Sequence, residues 1–353
     1  MELIMQASKV AALDSKYDYL KLGLSVLVVA IHADLYPLIL YPWLRIAVPL
    51  FFVMTSYFLF SKLQNAAMDV QGKMIKKFVL RNVALYCFWF VVLLPITLLA
   101  RKDSYFSGGF VTGLWNFLRS LMFRSTFLAS WYIPASVIGV LIIWALSRWT
   151  KPWVVVLVST AAFCVVTLLS SYESVVLEYP IVSKAVNGYW LIFDDPVVSF
   201  PASLFWIMIG KCFAENRMKA LKGAVNWVVF AVGALCLYLE WRIVRSLDGS
   251  VDNDSYFMLV PVCISLFAAI ERARTISNKH SVYFRQASTL IYVSHYSVIF
   301  AIRYLIQYLQ RRDSPPLVFV SALLICCTLY FVITFIQRRW KNAKISKLLK
   351  YAF

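Results

Sequence analysis

Five ionisable residues stand inside long apolar runs: Lys21, His32, Arg45, Glu240 and His295. Titratable groups are costly in hydrocarbon, so each is a candidate for function or for pairing. Lys21 and His32 are eleven apart. At 100° per residue they fall within about 20° of one helix face, about 16 Å apart along the axis. His295 falls about nine residues into a later apolar run, about 13 Å deep from the same side. Two histidines at similar depth could line one cavity. Imidazole titrates near neutrality and serves as general base or proton carrier. The competing reading for both is a packing histidine, hydrogen-bonded between helices. Arg45 opens the segment Arg45-Ile-Ala-Val-Pro49-Leu-Phe-Phe. Pro49 is expected to interrupt the hydrogen-bond ladder and free backbone groups for a polar cavity. Arg45 could bind an anion, pair with a carboxylate, or snorkel to the interface. Glu240 is either a cavity carboxylate or half of an ion pair with the nearby Arg242.

A second set of candidates is basic. Lys76, Lys77 and Arg81 mark the start of a third apolar run. Lys77 and Arg81 are four apart, on one face. They could grip the phosphates of a nucleotide-like ligand, or only anchor a helix end. The seven cysteines sit in apolar runs or at their ends and form no CxxC pair. They read as small core residues. No metal-ligand spacing is present. There is no Walker loop, no GxGxxG opening a helix and no HExxH, which excludes P-loop hydrolysis and a Rossmann cofactor domain.

The elements that must position these residues follow from composition. The chain of 353 residues is 61% hydrophobic and 15% charged, with mean hydropathy +0.74. Soluble domains are about 45–50% apolar and about 25% charged. A soluble enzyme, a disordered chain and a secreted disulfide scaffold are excluded. A bilayer needs about 20 apolar residues per helix. Ten stretches qualify, near 18–37, 42–61, 78–100, 131–148, 152–171, 198–213, 223–243, 255–271, 287–308 and 316–337. The sixth is weakest, being short and preceded by a polar stretch. The fold class is thus an all-α integral membrane protein of about ten transmembrane helices. It forms a single domain over 1–353, with 17 N-terminal residues before the first span and a basic tail at 338–353. The first span is read as uncleaved.

Ten spans put both termini on one side. Of the 35 Lys and Arg, 23 fall on that side and ten on the other. This bias places both termini in the cytoplasm. It also explains the formal charge of +18 without nucleic acid. Two external segments run to roughly 30 residues, Arg101 to Ser130 and Tyr172 to Val197, and segments that long usually carry structure of their own. The tail from Gln337 to Phe353 alternates Lys with apolar residues. It reads as a basic amphipathic helix on the inner leaflet or as a simple stop-transfer tail.

In this order the residues resemble the acyltransferase-3 family of integral membrane acyltransferases. The match begins with Lys21-x10-His32 and continues with Arg45-Ile-Ala-Val-Pro49-Leu-Phe-Phe. It then takes in Trp131-Tyr132-Ile-Pro134, Glu240 with Asn253-Asp254-Ser-Tyr256, and Ser288-Thr-Leu-Ile-Tyr292-Val-Ser-His295. Within the family the chain looks like the membrane domain of the vancomycin-resistance-type serine racemases. Departures are Thr55-Ser56 where the family has Ser-Gly, Ala129 where it often has His, and Lys77/Arg81 at an altered spacing.

The resemblance implies a multi-pass protein of the bacterial cytoplasmic (inner) membrane. It would transfer an acyl group, usually acetyl, from cytoplasmic acyl-CoA to a hydroxyl outside, on a cell-surface glycan or glycolipid. Acetyl-CoA is then the donor substrate, and no metal is expected. His32 would be the general base or acyl carrier, with Arg45 stabilising the oxyanion. Lys21, Lys77 and Arg81 would hold the donor. Glu240, Asp254, His295, Trp131 and Tyr132 would contact the acceptor. Membrane lipids and the acceptor are the expected partners, and self-association is left open. The rivals are a transporter of a small solute such as an amino acid, and a non-catalytic scaffold.

Overall fold

The computed structural model describes residues 14–35, 40–106, 108–124, 130–218, 223–248, 253–340 and 344–353. Ala129 and residues 1–13 lie outside them. The helices in chain order are α1 Lys16–His32, α2 Ala47–Leu63, α3 Met68–Phe106, α4 Phe110–Phe123, α5 Tyr132–Trp149, α6 Pro152–Ser171 and α7 Pro180–Phe193. They continue with α8 Pro201–Ala214, α9 Gly223–Asp248, α10 Leu259–Arg272, α11 Ser281–Tyr308, α12 Pro315–Arg339 and the short α13 Lys344–Leu349. No strand is present among the described residues, only one isolated bridge from Asp14 to Ser277. Four helices open on proline at their first position (Pro152, Pro180, Pro201 and Pro315). That position needs no backbone N–H, and proline's fixed φ already suits a helix.

Every one of the ten expected spans is a helix. Eight are long and apolar enough to cross a membrane. The first, α1, has 17 residues and the eighth, α10, has 14. At 1.5 Å per residue these are about 26 and 21 Å long, short of a full bilayer core. The chain is an all-α membrane protein.

The sixth span, weakest by sequence, is the hub. In α8 every residue from Ser203 to Gly210 is buried, and the helix packs on α2, α5 and α6. Two glycines permit that approach. A Cβ on Gly210 would collide with Ser56 Oγ and the Val53 carbonyl, and one on Gly139 of α5 would collide with Ser203. A helix buried on all sides by its neighbours need not match the full thickness of the bilayer, which is why its short length misled. The parallel pair α1 and α11 forms the second strong contact, with Ser288 Oγ donating to the Lys21 carbonyl at 2.9 Å.

The two long connecting segments are structured. Helices α4 and α7 lie against each other. Trp115 donates to the Leu191 carbonyl at 3.2 Å, Arg119 to the Trp190 carbonyl at 2.6 Å, and Ser120 to Asp194 at 2.9 Å. The C-terminal segment departs from the expected single amphipathic helix. α12 ends at Arg339, and α13 is followed by a tight turn, Lys350–Ala352, whose last carbonyl accepts from Trp89 of α3 at 3.2 Å.

Candidate functional site

The backbone breaks between the turn Tyr41–Leu44 and α2, and Arg45 sits in that break. Pro49 does not interrupt the ladder as the sequence suggested. It is the third residue of α2, where no N–H is needed. The break itself exposes Arg45 to its neighbours. Arg45 is 8% exposed, ion-paired with Asp254, with its guanidinium 4.6 Å from the centre of the Tyr41 ring. Snorkelling to the interface is thereby excluded.

Asp254 is placed by serines that the sequence reading passed over. Ser170 Oγ accepts from the N–H groups of Asp254 (2.9 Å) and Ser255 (3.1 Å). Ser171 donates to the Ser255 carbonyl, and Thr167 is 2.8 Å from the Ser255 hydroxyl. Glu240 completes this clamp. Its two carboxylate oxygens accept from the N–H groups of Phe257 and Met258, both at 2.8 Å, and from Tyr172 at 3.1 Å. Burial and the adjacent carboxylate push the Tyr172 hydroxyl up to about 12, so it stays a donor. No Glu240–Arg242 ion pair exists among the described residues. Glu240 instead caps the N-terminal end of α10, where free N–H groups and the helix dipole favour an anion. The geometry thus makes Glu240 a positioning residue for Asp254 rather than an open ligand-facing carboxylate.

Beside this clamp, at the end of the bundle that the charge bias would place outside, lies a narrow outer cavity of about 40 Å³, lined by Arg45, Pro49, Phe52, Trp131, Trp206 and Asp254 among others. It has room for about three waters, at ~10–15 Å³ each. A larger molecule would have to occupy its mouth or open it.

A second cavity, of about 530 Å³, opens at the other end of the bundle. Lys21, Lys62, Lys77 and Arg81 line it, together with Thr55, Tyr132, Ser288 and Tyr292. It joins a neighbouring cavity of about 750 Å³ through Lys21, Phe58, Lys62 and Arg81. The three cations expected to act together, Lys21, Lys77 and Arg81, do meet in one place. Lys62 joins them; its signal was its place at the end of α2, one of a run of basic residues. None of the four forms an ion pair among the described residues; Asp18, one turn before Lys21, is paired with Arg285.

Between the cavities stands a layer of aromatic rings. Tyr132 lies 4.6 Å from Phe52, 5.9 Å from Phe51 and 5.4 Å from Tyr292, measured between ring centres. Trp131 and Tyr132 are consecutive, yet one lines the outer cavity and the other the basic one. The Tyr132 hydroxyl donates to the Phe51 carbonyl at 3.0 Å. Its single hydrogen is therefore spent, and Thr55, 2.5 Å away, must donate to it. So the departure Thr55 faces the basic cavity, while Ser56 bonds back to the Phe52 and Val53 carbonyls in the α2–α8 seam.

His32 and His295 are brought together beside this layer. Their ring centres are 5.2 Å apart. Ile31 lines the outer cavity and Tyr292, one turn before His295, lines the basic one. His295 is fully buried, with Nδ1 at 2.7 Å from the Tyr292 carbonyl and 3.1 Å from the Ile291 carbonyl. Carbonyls only accept, so Nδ1 carries the hydrogen and Nε2 keeps its lone pair. Nε2 has no hydrogen-bond partner among the described residues. The pair is also tethered from beyond. Arg303 of α11 donates to the His32 carbonyl (3.4 Å) and to Asp34 (2.6 Å), and its Nε faces Asp313 at 3.1 Å. Arg303 was not among the residues singled out from the sequence. Its position within an apolar span, eight residues and about 80° around the helix from His295, was the available signal.

The arrangement offers a base, a cation-lined cavity on one side and an ion-paired cavity on the other. Comparison with known proteins agrees in kind. The chain is 24% identical over 304 residues to a protein of Enterococcus faecalis named amino-acid racemase; the match takes in 85% of this chain and 42% of that protein. This chain therefore spans less than half the length of that relative. No solved structure matches it. The acyltransferase-3 profile, described as an acyltransferase domain, matches residues 14–342. The chain belongs to this family of membrane acyltransferases.

Proposed function

We propose that the protein moves an acyl group, acetyl by family resemblance, from cytoplasmic acyl-CoA to a hydroxyl outside the bacterial inner membrane. The acceptor class would be a glycan or glycolipid of the cell envelope. The observation that carries this reading is the histidine pair beside the aromatic layer that separates a cation-lined cavity from one holding an ion pair. The cation-lined cavity would face the cytoplasm, on the side that collects most Lys and Arg. Lys21, Lys62, Lys77 and Arg81 suit the phosphates of the donor, and about 530 Å³ is room for its thiol-bearing arm. The narrow Arg45–Asp254 cavity, walled by Trp131 and Trp206, would face the acceptor.

In this mechanism His32 accepts the proton of the acceptor hydroxyl as its oxygen attacks the thioester carbonyl. The new C–O bond gives a tetrahedral intermediate whose oxyanion the Arg45 charge stabilises. Collapse breaks the C–S bond, and the proton held on His32 passes to the leaving thiolate. The products are the ester and CoA thiol. His295, whose Nε2 has no hydrogen-bond partner among the described residues, would buffer the proton on His32.

The test is thiol release from acetyl-CoA by the purified protein in nanodiscs. His32→Ala is expected to lower turnover about 10²–10⁴-fold without changing the unfolding temperature. Wild-type rates in that variant would refute the role of His32. A well-folded protein with no turnover and no donor binding, but with solute uptake in proteoliposomes, would replace transfer by transport.

A further inference from the structure

A third feature lies outside the cavities used above. On α3, Lys73, Lys76, Lys77, Leu80, Arg81 and Ala84 line an open groove of about 560 Å³, closed on its far side by Lys350, Tyr351 and Phe353. At 100° per residue, Lys73, Lys76, Leu80 and Ala84 fall within an arc of about 80°. The face turned to the donor cavity carries Met74, Phe78, Asn82 and Leu85, roughly 90–180° away. Lys77 and Arg81 form the ridge between the two. Lys73, Lys76 and Lys350 therefore serve the groove and do not line the donor cavity. All three are exposed, and none has a carboxylate partner among the described residues.

Along the helix the same arc runs from charge into hydrocarbon. Leu80 is 57% exposed, Cys87 is exposed and Val91 is 69% exposed. Residues 73, 80, 84, 87 and 91 stay within about 40° of one line. A free phosphate or nucleotide has no use for that apolar track. An amphiphile uses both parts, with an anionic head among the lysines and chains along the stripe. Tyr351, half exposed at the rim, sits where an aromatic residue marks the headgroup level. Clusters of Lys and Arg at the start of a span suit anionic lipid headgroups.

We propose that this groove between α3 and the turn at Lys350–Ala352 binds an anionic phospholipid of the inner leaflet. The phosphate sits among Lys73, Lys76 and Lys350, and the chains lie along Leu80, Cys87 and Val91.

The full-length protein is purified from nanodiscs of mixed phosphatidylglycerol and phosphatidylcholine, and retained lipids are counted by native mass spectrometry. Wild type is expected to retain phosphatidylglycerol preferentially. The triple variant Lys73→Gln, Lys76→Gln, Lys350→Gln is expected to lose that preference by about tenfold or more, with acyl-CoA affinity unchanged within twofold. Lys350→Gln alone, off the transmembrane helices, is the control should the triple variant fail to fold, and a partial loss is expected. Equal retention of the two lipids by wild type overturns the proposal. So does unchanged retention in folded variants. If the variants lose acyl-CoA affinity instead, the groove belongs to the donor's phosphates. If glycerol 3-phosphate alone displaces the lipid at equal concentration, the apolar stripe contributes nothing and a free-phosphate site replaces the lipid site.

Discussion

Arg45 and Arg81 are cations of the same chain in opposite circumstances. Arg45 is buried and ion-paired with Asp254, which is itself held by Ser170 and by the loop that Glu240 caps. Arg119 and Arg124 share Asp194, and Arg303 faces Asp34 and Asp313. Around the basic cavity, Lys62, Lys77 and Arg81 are exposed and meet no carboxylate among the described residues. At the outer end, charges build the walls. Around the basic cavity these three charges remain available to a ligand, while the carboxylates Asp14 and Asp18 of the adjoining cavity are paired with Lys16 and Arg285. Removing a wall charge should cost stability first, because it leaves a buried partner uncompensated. Removing a waiting charge should cost binding first, because nothing in the fold depends on it.

The sharpest contrast comes from Asp254→Asn. It removes the negative charge facing the Arg45 guanidinium, which is 8% exposed, whereas Asp254 is 37% exposed and partly screened by water. Stranding one partner of a fully buried pair costs about 3–5 kcal/mol. Screening lowers the expectation here to about 1–3 kcal/mol, read as a fall in unfolding temperature in detergent. An unchanged melting curve would break the comparison at its outer end.

The double variant Lys77→Gln, Arg81→Gln probes the other end. Stability should move by no more than about 0.5 kcal/mol. Acyl-CoA affinity should fall about tenfold or more, since each hydrogen bond to a charged group is worth about 1.5–3 kcal/mol. The salt dependence of binding should flatten as well. Loss of folding with intact affinity would show these cations to be structural.

Glu240→Gln gives the smallest effect. The amide oxygen still accepts one of the two N–H groups, while its NH₂ faces the other. About 1 kcal/mol of stability should be lost, with KM for the donor unchanged. A rise in KM at constant stability would return Glu240 to the substrate.

Much of this was legible because the bilayer enforces it. Ten apolar runs appear as ten helices, and the eleven-residue spacing of Lys21 and His32 is a property of any α-helix. Other features were illegible for identifiable reasons. The α8 run looked weakest because it is short and follows a polar stretch, yet a central helix buried on all sides need not be long. Pro49 was read as a break because its register in α2 depends on where the helix begins. Ser170 and Ser171 close the span 152–171, and nothing in their local sequence marks them out. Only the packed loop shows that they grip Ser255 and the backbone of Asp254.

The sequence by itself determined the solvent, the class of element and the family. Composition, run length and helical period are local quantities, and the ordered motifs need no contact map. Tertiary structure alone decided which charges are spent and which are free. It drew Lys62 into the cavity with Lys21, Lys77 and Arg81, and set His295 at 5.2 Å from His32. It also turned Glu240 from a cavity carboxylate into a helix cap. A charge has a partner only in three dimensions, and the Arg303–Asp34 pair joins residues 269 positions apart in a chain whose local pattern carries no record of it.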